Sequence, residues 1–336
     1  MLSRVADSLY WMSRYIERAE NIARLVEVNL QLLTDFTETD DLKHEEQWKP
    51  IILSSGDEES FYSLYDEANS ETVMEFLTFN KENPNSILSC VNQARENARK
   101  VRDQISLEMW ETLNDQYLSL RALDVRRVLR TGAHDFYTSI KNHSHLFQGL
   151  TDATYSRNEG YDFIQIGKFL ERAEKTTRII DIKYHLLLPK ISDVGGALDV
   201  VQWVAILRSC SALEAYHRIY VADVSPSKVA EFLIFSETFP RSIRYCLKRL
   251  DYFLHHVSGT PGGQFRNDAE RVCGKMLSDI NFTTIKEIQG HGLHEFLDDI
   301  QQKLNQVGEF SYATYMFTPP VDLAFEIHQQ QEQQQQ

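Results

Sequence analysis

The sequence predicts an all-α protein, a large helical bundle built from two duplicated halves related by a pseudo-two-fold axis. Three observations carry that prediction. Apolar or small residues at Val5, Leu9, Met12, Ile16, Ala19, Ala23, Val26, Leu30 and Leu33 recur in alternating steps of three and four, which marks one face of a helix. The stretch Tyr15-Ile-Glu-Arg-Ala-Glu20 returns 154 residues later as Phe169-Leu-Glu-Arg-Ala-Glu174, inside a second such helix. No alternating strand of useful length occurs, and 8 prolines with 14 glycines in 336 residues leave few breaks.

Taken in order, the first helix runs from about Ser3 to Leu33, and an acidic, polar link follows from Thr34 to Glu46. Gln47, Trp48, Ile51, Ser54 and Tyr65 are answered by Gln202, Trp203, Ile206, Ser209 and Tyr220. Val73, Glu75, Phe76, Leu77, Phe79, Pro84, Ser86, Ile87 and Cys90 are answered 156 residues on by Val229, Glu231, Phe232, Leu233, Phe235, Pro240, Ser242, Ile243 and Cys246. Gly132, His134, Phe136 and Ile140 match Gly292, His294, Phe296 and Ile300. Four echoes in one order set the halves at 1–155 and 156–318, packed as one domain. A period this long is not a solenoid repeat. The halves differ most after Ala94, where the first carries a long polar helix to Leu113 and the second has the loop Ser258 to Gly263. Pro84, Pro226 and Pro240 suit first helical turns, and Pro189 ends the second motif helix. Residues 319–336, rich in glutamine, read as a disordered tail.

A 42% hydrophobic and 25% charged composition is that of a soluble globular protein. The net charge of −14 argues against a general nucleic-acid or anionic-membrane binder. Cys90, Cys210, Cys246 and Cys273 form no CxxC pair, so no zinc site or redox dithiol is signalled. The reading is a cytoplasmic protein with no membrane span, no metal and no cofactor.

The candidate site residues begin on the two motif helices. Counted in heptads from Leu9, Ile16 and Ala23, the residues Arg14, Glu17, Asn21 and Arg24 form a polar stripe away from the seam. Arg18 instead shares a position with Trp11 and Leu25 at the edge of the apolar face, and Arg172 stands likewise before Ile179 and Leu186. Guanidinium groups there need carboxylate partners. One reading is an anion-binding or catalytic site, with Glu17 and Glu171 as acid/base and Arg14, Arg18, Arg24, Arg172 and Arg178 holding an anion. The other, which duplication favours, is an interhelical ion pair locking the halves together.

Arg95, Arg99 and Arg102 follow at i, i+4 and i+7, one helix face able to hold phosphate or carboxylate, or a solvated face laced by Glu–Arg pairs. Glu214-Ala-Tyr-His217 has the spacing of a di-iron motif, but it stands alone and its counterpart ending at Tyr62 has no histidine. The repeated His134 and His294 point to packing or a cap.

Ala6 to Glu20, Asn83 to Trp110, Gly149 to Thr154, Gly167 to Glu174, Glu214-Ala-Tyr216 and Phe239 to Arg244 together resemble the bacterial alpha-E family of helical proteins. The likeness spans Leu2 to about Met316. It implies an all-α protein of a system built around circularly permuted ATP-grasp amide ligases and transglutaminase-like proteases. It maps the family's motif glutamates to Glu17, Glu20, Glu171 and Glu174, with Gly167 and Lys168 standing where the first motif has Ser13 and Arg14. It attaches no catalytic mechanism. The expected role is a helical accessory or scaffold that binds the ligase or its peptide-like product; the alternative is an enzyme of the same pathway using a Glu–Arg site. Oligomeric state is not legible.

Overall fold

Two long helices lie side by side and everything else packs around them. In the computed structural model, which describes residues 1–36, 44–185, 196–221 and 223–318, α1 spans Ser3–Phe36 and α9 spans Glu159–His185. They run in the same direction. The Met1 amino group meets Glu159, Tyr10 lies against Gly167, and Glu17 lies against Arg172. A Cβ on Gly167 would stand 2.4 Å from the Tyr10 carbonyl oxygen, so glycine sets how closely the two backbones approach.

After α1 come α2 (His44–Ser55), α3 (Glu58–Tyr62), α4 (Ser70–Met74), α5 (Ile87–Lys100), α6 (Leu107–Leu120), α7 (Val125–Thr131) and α8 (Ala133–Thr154). After α9 come α10 (Ala197–Ser209), α11 (Leu213–Tyr220), α12 (Pro226–Phe235), α13 (Ile243–Ser258), α14 (Asp268–Phe282), α15 (Ile285–His291) and α16 (Leu293–Ser311). Short π-helical turns cover Glu75–Phe79 and Tyr312–Met316. Among the described residues there is no strand, and no helix is long and apolar enough to cross a membrane.

Local chemistry sets the helix starts. Ser86 and Ser242 cap α5 and α13 by accepting from the backbone N–H groups of Ser89 and Tyr245. Asn267 caps α14, and Thr284 with Glu287 forms a reciprocal capping box on α15. Gly132 and Gly292, at φ of 115° and 110°, turn the chain between α7 and α8 and between α15 and α16. The Cys90 and Cys246 thiols face the carbonyls of Pro84 and Pro240.

The apolar interior falls into two clusters. One takes Leu9, Met12 and Ile16 of α1 with most of α9 to α16, and also Ala94, Met109, Leu113 and Phe147 from the earlier helices. The other takes Ala19, Ala23 and Val26 of α1 with Trp48, Phe61, Phe76, Ile87 and Tyr137. The break along α1 falls between Ile16 and Ala19, where the Glu-Arg motif lies.

Several expectations are corrected. The polar run Ala94 to Leu113 is two helices, because the chain leaves α5 at Val101 and Ser106 caps a new start by accepting from the Met109 N–H. Later in the chain, α13 and α14 are joined through residues 259–267, which include the expected glycine-rich loop. Only Pro226 sits in a first turn; Pro84 and Pro240 precede the caps. Pro189, most of the acidic link and the glutamine-rich tail lie outside the described residues.

Candidate functional site

Glu17 and Glu20 on α1 and Glu171 and Glu174 on α9 are all buried. Glu17 and Glu171, the first glutamate of each motif, are each gripped by the motif arginine of the other helix. Arg172 donates to both oxygens of Glu17 through Nε and Nη2, each at 2.8 Å. Arg18 donates to both oxygens of Glu171 at 2.7 and 3.1 Å. These are the bidentate, charge-assisted bonds that suit guanidinium and carboxylate.

Further groups close each end. Arg14 adds a 2.7 Å bond to Glu171, and Lys175 lies 3.8 Å from it. Arg241, in the link between α12 and α13, joins Glu17 at 2.8 Å and Glu20 at 2.5 Å. Glu20 also accepts from Arg24 at 2.6 Å and from the Ser144 hydroxyl at 2.7 Å, with His145 Nε2 at 3.2 Å. Gln148 donates to Glu17 at 3.0 Å and accepts from Arg172 at 3.2 Å. Glu174 takes Lys175 at 2.9 Å and Arg178, whose other nitrogen reaches the Ser54 carbonyl. Arg24 reaches the Ser211 hydroxyl in the same way.

The electrostatics follow from this crowding. Burial pushes the Glu17 carboxyl upward, but Arg172 and Arg241 more than offset it, and the group ends below its ordinary value. Burial acts on Glu20 too, yet Arg241, His145 and Arg24 hold it well below. Glu171 and Glu174 are lowered against burial by Arg18 with Arg14 and by Lys175 with Arg178 respectively. Four ionised carboxylates are therefore held in place; none is poised to carry a proton near neutral pH. Lys168 differs: burial, with the nearby Arg172 charge, lowers it to about 8.

The polar stripe expected to face away from the seam does not do so. Glu17, Asn21 and Arg24 are 1%, 2% and 5% exposed, and Arg14 is largely covered. Helix α1 is enclosed by α5, α8, α9 and α10 on several sides, so a single outward face does not exist. Arg172 is buried and paired, as expected, whereas Arg18 keeps 15% of its side chain in solvent and also donates to Asn85 at 2.7 Å.

Arg95, Arg99 and Arg102 take no part. Arg95 bonds Asn114 and Glu96 and lies over the rings of Trp110 and Tyr117. Arg99 is exposed beside Glu96, and Arg102 lies beyond the end of α5 over Trp110. The three arginines share partners, Arg95 and Arg99 on Glu96 and Arg95 and Arg102 on Trp110, which is the expected alternative of a face laced by Glu–Arg pairs.

His134 and His294 each meet an acid of a motif helix, Glu27 at 3.0 Å and Asp181 at 2.7 Å. Glu214 and His217 are exposed, and among the described residues no cluster of His, Cys, Asp or Glu could hold a metal ion. All four cysteines are free and buried, and burial pushes Cys90, Cys210 and Cys246 up to about 12.

Sequence reasoning passed over Arg241, Ser144, His145 and Gln148. The signal for Arg241 was an arginine between Pro240 and the cap Ser242, where the first half has Asn85 between Pro84 and Ser86. Asn85 reaches Arg18, and Arg241 reaches Glu17; both serve the motif from the same turn.

Comparison with known proteins agrees with this focus. The Alpha-E family model, a predicted alpha-helical domain with a conserved ER motif, matches residues 1–316. Uncharacterized proteins of Mycobacterium bovis and Mycobacterium tuberculosis are each 26% identical over 94% of the chain. The chain spans 37% of the length of those relatives. No solved structure matches.

Proposed function

The chain belongs to the Alpha-E family, and on that premise we propose that it is a helical accessory or scaffold protein of an ATP-grasp-type amide ligase system, acting in the cytoplasm. The observation that carries the accessory reading is the reciprocal grip of Glu17 by Arg172 and of Glu171 by Arg18. An enzyme working through these glutamates would need one of them free and raised toward neutrality; all four motif glutamates are paired and lowered. The arginines are spent on carboxylates, so the motif acts as a clamp between α1 and α9. Its partners in this reading are a circularly permuted ATP-grasp ligase, a transglutaminase-like protein, or both. Family resemblance supports that assignment.

We read the two halves as a duplication. Matched caps at Ser86 and Ser242, matched turns at Gly132 and Gly292, and the two crossed Glu–Arg pairs support it.

The test is co-expression with the ATP-grasp ligase encoded in the same genome, followed by size-exclusion chromatography and ligase assay. Co-elution and a changed ligase turnover are expected. Failure to associate, or amide-forming activity of the chain alone that a folded Glu17→Gln variant loses, would contradict the reading.

A further inference from the structure

A groove of about 630 Å³ opens beside the start of α5, between α1 and α6, within the size range of small-ligand sites. We infer that this groove binds a short acidic peptide, through Lys81 and Arg121 on its carboxylates and Asn92 and Gln93 on its amides, between the rings of Tyr15 and Tyr117. The inference rests on reading the chain as a binder of a peptide-like product, and it names where that product would sit.

The chemistry of the lining carries it. Lys81 and Arg121 are the charged groups that line it, and no carboxylate does, although the whole chain carries −14. Among the described residues neither cation has an ion-pair partner, in contrast to the spent arginines of the clamp; Arg121 only lies 6.0 Å from the Tyr117 ring. The side-chain amides of Asn92 and Gln93 and the hydroxyls of Tyr15 and Tyr117 likewise make no hydrogen bond among the described residues. Each amide offers a donor and an acceptor, the complement of a peptide group. The walls are already held. Tyr15 stacks on Trp11 at 5.4 Å, and the Arg95 guanidinium lies 4.9 Å from the Tyr117 ring. Little order has to be imposed when a ligand enters.

The matching sequence positions later in the chain carry larger or paired side chains. At the position answering Ser89, 156 residues on, stands Tyr245, whose ring lies 6.1 Å from that of Phe169. Glu237 answers Lys81 and pairs with Arg244 at 3.2 Å, and Arg244 also donates to Asn281. The later positions carry a tyrosine against Phe169 and a paired glutamate; the groove carries a serine and an unpaired lysine.

Calorimetric titration of the full chain with tetraglutamate tests the proposal, with tetraglutamine amide and inorganic phosphate as comparison ligands. Tetraglutamate should bind, more weakly as salt rises, and at least tenfold more tightly than either comparison ligand. Lys81→Met with Arg121→Met should cost at least tenfold; both residues are exposed, so the fold should persist. Ser89→Tyr, which puts the tyrosine found at position 245 into the groove wall, should abolish binding. No binding at millimolar peptide, equal binding of the neutral peptide or of phosphate, or binding unmoved in the Lys81/Arg121 variant would overturn it. The titration contains no ligase, so it fails or succeeds separately from the co-elution test.

Discussion

Glu171→Gln keeps the side chain's shape and removes one charge. In the folded protein that charge holds Arg14 at 2.7 Å and Arg18 through two bonds, while Glu171 itself is 0% exposed. Among the described residues neither guanidinium has a second carboxylate partner; Arg14 keeps the Tyr10 hydroxyl at 3.0 Å and Arg18 keeps Asn85. Their side chains are 13% and 15% exposed, too little for water to replace the lost partner. Breaking a buried pair by removing one member costs about 3–5 kcal/mol. Glu71→Gln is the control. Glu71 and its partner Arg126 are 54% and 82% exposed, and such a pair contributes about 0–1 kcal/mol. Urea denaturation at pH 7 with linear extrapolation reads both. A Glu171→Gln loss as small as that of Glu71→Gln would refute the clamp. Unchanged stability together with lost partner binding would show the motif to be a binding site.

Three further outcomes are expected. Because the motif glutamates are lowered in the folded state, their contribution is present above the ordinary value of 4.5 and is lost as pH falls below it; Glu171→Gln should flatten the acid limb of a stability–pH curve. Lys168 is lowered to about 8 from 10.5, so the unfolded chain is the more protonated between those values; stability should rise with pH there, and Lys168→Met should remove that rise. Gly167→Ala gains helix propensity of about 1 kcal/mol, yet its Cβ would meet the Tyr10 carbonyl at 2.4 Å, so thermal melting should show a net loss of stability.

The two motif helices and their pairing were legible because periodicity and repetition are local properties of the chain. The direction of Glu17, Asn21 and Arg24 was not. A heptad count assumes one buried face, and α1 is enclosed by several helices, so its polar residues are buried together with the apolar ones. The break at Val101 was hidden because no glycine or proline marks it; a serine cap at Ser106 restarts the helix instead. Arg241 arrives from a turn more than two hundred residues away from Glu17, and nothing in either local sequence announces the meeting. The groove depends on which side chains leave a space, Ser89 rather than a residue the size of Tyr245, and a helical pattern does not register that difference.

The most direct measurement of the clamp is a double-mutant cycle on Glu17 and Arg172, comparing the unfolding free energies of Glu17→Gln, Arg172→Met and the double variant with the wild type. Contacting, hydrogen-bonded residues couple by about 0.5–3 kcal/mol; a buried bidentate pair with both bonds at 2.8 Å should fall in the upper part of that range, the double variant losing less than the two single losses added together. Additive losses, with coupling below about 0.5 kcal/mol, would mean that the crossed Glu–Arg pairs do not hold the two helices together.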